Sequence, residues 1–149
     1  MADASRRSCL ITTRIRADER SVRRLLVRIV GRLAPSFDRE VCGTVELALA
    51  EVLNNVVEHA YACRTPGPVR VELCRRTDGL FCRIEDEGWP MPDLQLPEGR
   101  SGPVGGPIED LAEGGWGWGL IRALTADISY ERRGGTNRLA FRIPLATGG

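Results

Sequence analysis

Three short clusters in this 149-residue chain carry side chains whose types and spacing could do chemistry. In the first, Glu51 and Asn55 stand four residues apart, with Glu58 and His59, the only histidine, just beyond. In the second, Asp86 and Gly88 flank Glu87; the third is Gly117-Trp118-Gly119-Leu120. A carboxylate can accept a proton or orient a hydroxyl. An amide oxygen can ligate a hard cation, and glycine lets backbone approach a ligand closely. All 21 basic residues are arginine, so any mechanism that needs a lysine is excluded, a Walker-type phosphate lysine among them.

The first cluster lies on a segment with helical periodicity that begins near Asp38 and ends by Tyr61 or Ala62. Val45, Ala48, Leu49, Val52 and Val56 make an apolar stripe suited to packing on a sheet. Glu51, Asn55 and Glu58 fall beside it, since residues three and four apart share a face. Taken alone, such a polar stripe reads as a solvated face. Asp86 ends an alternating run, residues 80–86, in which Leu80, Cys82 and Ile84 point one way. If the strand continues, Asp86 faces the core and needs a partner; if it stops at Glu85, Asp86 merely opens a turn. Residues 69–75 complete an antiparallel hairpin around Thr77-Asp78-Gly79, and a loop of about four residues puts both apolar sets on one face.

Elsewhere, residues 8–16 alternate as a half-buried strand, and Asp18 suits the N-cap of a helix that runs to Pro35. Residues 89–115 hold five of the nine prolines, so this long irregular stretch reads as a lid or as disorder. The glycine-rich turn at Gly117 opens a short helix and is a weak anion-site signal. Trp116 and Trp118 suit a core anchor, a lid contact or a partner patch equally. A second hairpin turns at Gly134-Gly135. The order β-α-α-β-β-lid-α-β-β predicts an α+β two-layer sandwich: a mixed, mostly antiparallel five-stranded sheet with three helices on one face.

Composition sets further bounds. A net charge of +1 supplies no global field for nucleic acid. No apolar run is long enough to span a membrane, and nothing near the start reads as a secretory leader, so a cytoplasmic protein is expected. The five cysteines form no C-x-x-C pair, which argues against a zinc site or a disulfide framework and for buried reduced thiols.

Over nearly its whole length the chain resembles the GHKL (Bergerat-fold) ATPases, and within them the bacterial anti-sigma factor serine/threonine kinases of the partner-switching type. Glu51-Val52-Leu53-Asn54-Asn55 with His59-Ala60-Tyr61 matches the N-box. Asp86-Glu87-Gly88-Trp89-Pro90 matches the first glycine box, and Gly117-Trp118-Gly119-Leu120 the second. The resemblance implies one domain over 1–149 with an ATP lid at 89–115. It implies ATP and Mg2+ as cofactors, Asn55 as the metal ligand and Glu51 as general base. Asp86 would accept from the adenine amino group with Gly88 beneath the base, and Gly117, Gly119 and Leu120 would hold the phosphates. Thr136 would support adenine through water. Arg100 and Arg122 are the candidates for a γ-phosphate contact. The implied partners are a STAS-domain anti-anti-sigma protein as substrate, a sigma factor or other regulatory target, and a second copy of the chain, with no direct nucleic acid and no membrane. The competing readings are a non-catalytic ATP-binding switch and the catalytic part of a split histidine kinase.

Overall fold

Alternation puts Ile11, Thr13 and Ile15 on the inner side of β1 (Ser8–Arg16), where they pair with Leu73, Val71 and Val69 of β2 (Pro68–Arg76). The computed structural model describes residues 8–97 and 117–145. Asp18 caps α1 (Glu19–Leu33), accepting from the Ser21 N–H at 2.7 Å, and Val22, Leu25, Ile29 and Leu33 bury its inner face. Asp38 caps α2 (Arg39–Asn55) in the same way through the Val41 N–H at 2.9 Å. Such caps satisfy N–H groups that a helix start leaves without partners.

Helix α2 does not continue regularly to Tyr61. After Asn55 the residues Val56–Ala60 form one π-helical turn, a wide geometry that recurs where function demands a local irregularity.

Strand β2 turns into β3 (Gly79–Asp86) through Thr77 and Asp78 alone, because Arg76 already pairs with Gly79. The connection is two residues shorter than the loop expected, yet parity is kept: Val71 faces Ile84 and Leu73 faces Cys82. Gly79 has φ +146°, and a Cβ there would run into the Ile143 carbonyl. After α3 (Trp118–Leu124), β4 (Ala126–Arg133) and β5 (Thr136–Pro144) join through Gly134 and Gly135. Both glycines have positive φ (58° and 79°), as a two-residue hairpin turn of this twist requires.

The strand order is β1-β2-β3-β5-β4, and each neighbouring pair is antiparallel. The expected α+β sandwich is present, and its sheet is wholly antiparallel rather than mixed. Leu25, Leu49, Leu53, Ile84, Phe141 and Ile121 lie in one core between the helices and the sheet. Among the described residues no helix is long and apolar enough to cross a membrane.

The cysteine expectation is corrected in part. Cys42 and Cys82 are buried free thiols and Cys63 is exposed, but Cys9 and Cys74 form a disulfide across β1 and β2. The ladder makes them direct partners, a proximity that 65 residues of separation conceal in the sequence.

Candidate functional site

Asn55, Asp86 and Asn137 are the buried polar residues among those described, at 9%, 7% and 5% exposure, and all three line one cavity. Counting the open solvent at its mouth, that cavity takes in about 490 Å³, of which only about 40 Å³ is enclosed room for water-sized groups. Its other walls include Val52, Val56, Ile84, Met91, Trp118 and Leu139. Burying three polar side chains in an apolar setting is unfavourable unless each is satisfied, and their partners define the site.

Asp86 is the last residue of β3, on its core side, opposite Asn137 of β5. Its Oδ1 accepts from the Asn137 Nδ2 at 2.8 Å and from the Gly88 N–H at 2.9 Å. Oδ2 has no donor among the described residues. Burial pushes the Asp86 carboxyl above its ordinary value; the Asn137 and Gly88 bonds and the nearby Arg132 pull part of the way back. Asn137 is fixed in turn. Its Oδ1 accepts from the Tyr130 hydroxyl at 2.7 Å and from Arg132 at 2.9 Å, while Nδ2 also donates to the Trp89 carbonyl at 2.8 Å.

The segment after Asp86 is pinned to the end of α2. The Trp89 N–H donates to the Ala60 carbonyl at 2.7 Å, and its indole donates to the Ala62 carbonyl at 3.0 Å. Gly88 lies so close to the Ala60 carbonyl that no side chain fits there. Tyr61 secures the same junction, donating to the Pro68 carbonyl at 2.8 Å and accepting from the Glu87 N–H at 2.9 Å.

On α2, Asn55 is the last regular residue and its Nδ2 has no acceptor among the described residues. One turn earlier, Glu51 is half-buried and its Oε2 lies against Gly117, whose φ of +66° is one that side-chain-bearing residues rarely adopt. Partial burial, and then the charge of Glu58, push the Glu51 carboxyl above its ordinary value. A carboxylate tuned upward is better matched to proton acceptance near neutral pH.

Of the residues singled out in the sequence, Asn55 and Asp86 line the cavity, Gly88 packs against Ala60 of its wall, and Glu51 and Gly117 touch each other. Gly119 and Leu120 lie within α3, with Leu120 buried. Thr136 lies outside the cavity, lining a surface groove with Arg14 and Arg70. Alternation along β5 turns Thr136 away and its neighbour Asn137 inward. Asn137 was therefore missed; the signal available was a polar residue in phase with Leu139, Phe141 and Ile143. Arg122 donates to the Pro97 carbonyl at 2.9 Å. Arg100, Trp116 and most of the expected lid lie outside the described residues.

Residues 15–143 match the family described as the histidine kinase-like ATPase domain. A serine/threonine-protein kinase, BtrW of Bordetella bronchiseptica, is 31% identical over 98 residues, covering 66% of this chain and 67% of its own. The serine-protein kinase RsbW of Oceanobacillus iheyensis is 31% identical over 101 residues, covering 66% of this chain and 63% of its own. The chain thus spans less than two thirds of that RsbW. A crystal structure of RsbU and RsbW domains from Mycobacterium tuberculosis superposes with a TM-score of 0.58 at 17% identity, covering 91% of this chain and 32% of that one. That likeness concerns the fold. With the family match spanning most of its length and the N-box and both glycine boxes in order, the chain belongs to the histidine kinase-like ATPases, among relatives named as serine/threonine-protein kinases.

Proposed function

We propose that the chain is an ATP-dependent serine/threonine protein kinase that phosphorylates a STAS-domain antagonist and, as a homodimer, sequesters a sigma factor or similar regulatory target. The observation that carries this reading is the convergence of all three buried polar residues, Asn55, Asp86 and Asn137, on one cavity beside Glu51. The names of the kinase relatives support it.

In this reading the free Asp86 Oδ2 accepts from the adenine amino group, with Gly88 giving the base room. Asn55 lines the cavity, and an amide oxygen there fits a magnesium ion as a ligand. When bound, that ion would neutralise charge on the phosphates. Glu51 accepts the proton of a substrate serine or threonine hydroxyl as that oxygen takes the γ-phosphoryl group and ADP leaves. Positioning and electrostatics supply most of the catalysis in such transfers. For partner capture, α1 offers Arg20, Arg23, Arg24 and Arg28, all exposed around Val27, which is 69% exposed. None of the four forms an ion pair among the described residues, so the face suits an acidic partner.

The test is to incubate the protein with Mg-ATP and a STAS-domain candidate encoded nearby. Acid-stable phosphate on the partner is expected, falling about 100-fold or more in Glu51→Ala with nucleotide binding retained. Tight ATP binding without transfer would instead make the protein a non-catalytic switch, and acid-labile phosphate would make it part of a split histidine kinase.

A further inference from the structure

Two residues that line the cavity carry N–H groups with no acceptor among the described residues. The Asn55 Nδ2 and the Trp118 indole Nε1 are both buried and lack an acceptor. Trp118 is 3% exposed and lines the cavity. A buried indole N–H ordinarily has a hydrogen-bond partner, and an unmet donor costs more than burial of the ring alone would require. Apolar Val52, Val56 and Leu139 share the same cavity wall. An unmet donor on a residue that lines the cavity gathering the fold's buried polar groups points to a ligand contact.

We infer that Trp118 reads the nucleotide, its indole N–H donating to a phosphate oxygen of ATP near the Asn55 amide. The inference rests on the ATP-site reading above and extends it to a residue with no assigned role. Position selects the phosphate end. Asp86 and Asn137 mark the base end, whereas Trp118 directly follows Gly117, which lies against Glu51 one turn from Asn55. Chemistry selects it too. An indole N–H donates and accepts nothing, and the phosphate chain is the part of ATP richest in acceptors. The donor is also uncharged, so it adds recognition without adding cationic charge to a chain that has no lysine.

Trp118→Phe keeps an aromatic ring and removes the N–H. Calorimetry should show about a tenfold loss of affinity for ATP and ADP with adenosine unchanged, the size expected of one hydrogen bond to a charged acceptor. Unchanged ATP affinity overturns the inference, as does an equal loss for adenosine. Wild-type protein that binds no ATP overturns both this inference and the site reading beneath it, whereas the first two outcomes leave that reading standing. Because the smaller ring alters packing, a second measurement uses the native side chain. In protein labelled with nitrogen-15 at tryptophan, the indole proton resonance absent from Trp118→Phe should move downfield on saturation with ATP and stay in place with adenosine. A stationary resonance at saturating ATP overturns the inference.

Discussion

Asp86 is an acid kept where its charge is disfavoured. Its folded pKa stands above the ordinary carboxylate value, with burial the first cause, so the native state holds this proton more tightly than the unfolded chain does. By linkage, the group's contribution to stability declines as pH rises from the ordinary value through the raised one. Ligand binding runs the other way, because an adenine amino group needs the ionised acceptor. Asp86→Asn separates the two effects. The amide oxygen can still accept from Asn137 and Gly88, so the melting temperature should be equal to or above that of the parent. Affinity for ATP should fall about tenfold or more at neutral pH. In calorimetry, the parent should lose ATP affinity as pH falls through the raised pKa, while the variant should show a flatter profile. Equal affinity of parent and variant at neutral pH would remove Asp86 from the base contact.

Helix α2 and its π-helical turn gather the site from three directions. The Ala60 carbonyl at the turn's end takes the Trp89 N–H, Tyr61 ties β2 to Glu87, and Asn55 closes the regular helix. Gly88 is the narrowest point of this assembly. Gly88→Ala drives a methyl group into the Ala60 carbonyl, and should lower stability by about 1–3 kcal/mol while weakening nucleotide binding. Urea unfolding with calorimetry checks both; an unchanged midpoint would mean that the junction relaxes at no cost. The helix cap at Asp18, the start of α2 near Asp38 and the Gly134-Gly135 turn were legible in the sequence because each is decided by a few adjacent residues. The π-helical turn was not, because its anchors at Trp89 and Gly88 arrive from another strand. Likewise, the Asp86 reading stayed open until its partner was in view, since a strand's last residue faces inward or outward according to pairing.

At the scale of the molecule, the antiparallel order β1-β2-β3-β5-β4 creates neighbours that no local pattern announces. Asn137 meets Asp86 across 51 residues and Cys9 meets Cys74 across 65. The order of the elements was readable from hydrophobic periodicity, but these pairings depend on which strands lie side by side. The Cys9–Cys74 bond fastens edge strand β1 to β2, away from the cavity walls. Reduction should therefore cost about 2–4 kcal/mol of stability and leave ATP affinity unchanged, as thermal melts and calorimetry with and without a thiol reductant can check; an unaltered melt would mean that the bond adds nothing to the fold. The amide of Asn137 bears on a different question, the choice between purines. Tyr130 and Arg132 both donate to its oxygen, which forces its NH2 group toward the Asp86 Oδ1 and, in the proposed reading, leaves the second carboxylate oxygen as the acceptor for the base. Such a floor favours the amino group of adenine and repels the oxygen that guanine carries at the same position. Protonation of Asp86 would turn that acceptor into a donor, so acid should erode the preference for ATP over GTP as well as the affinity.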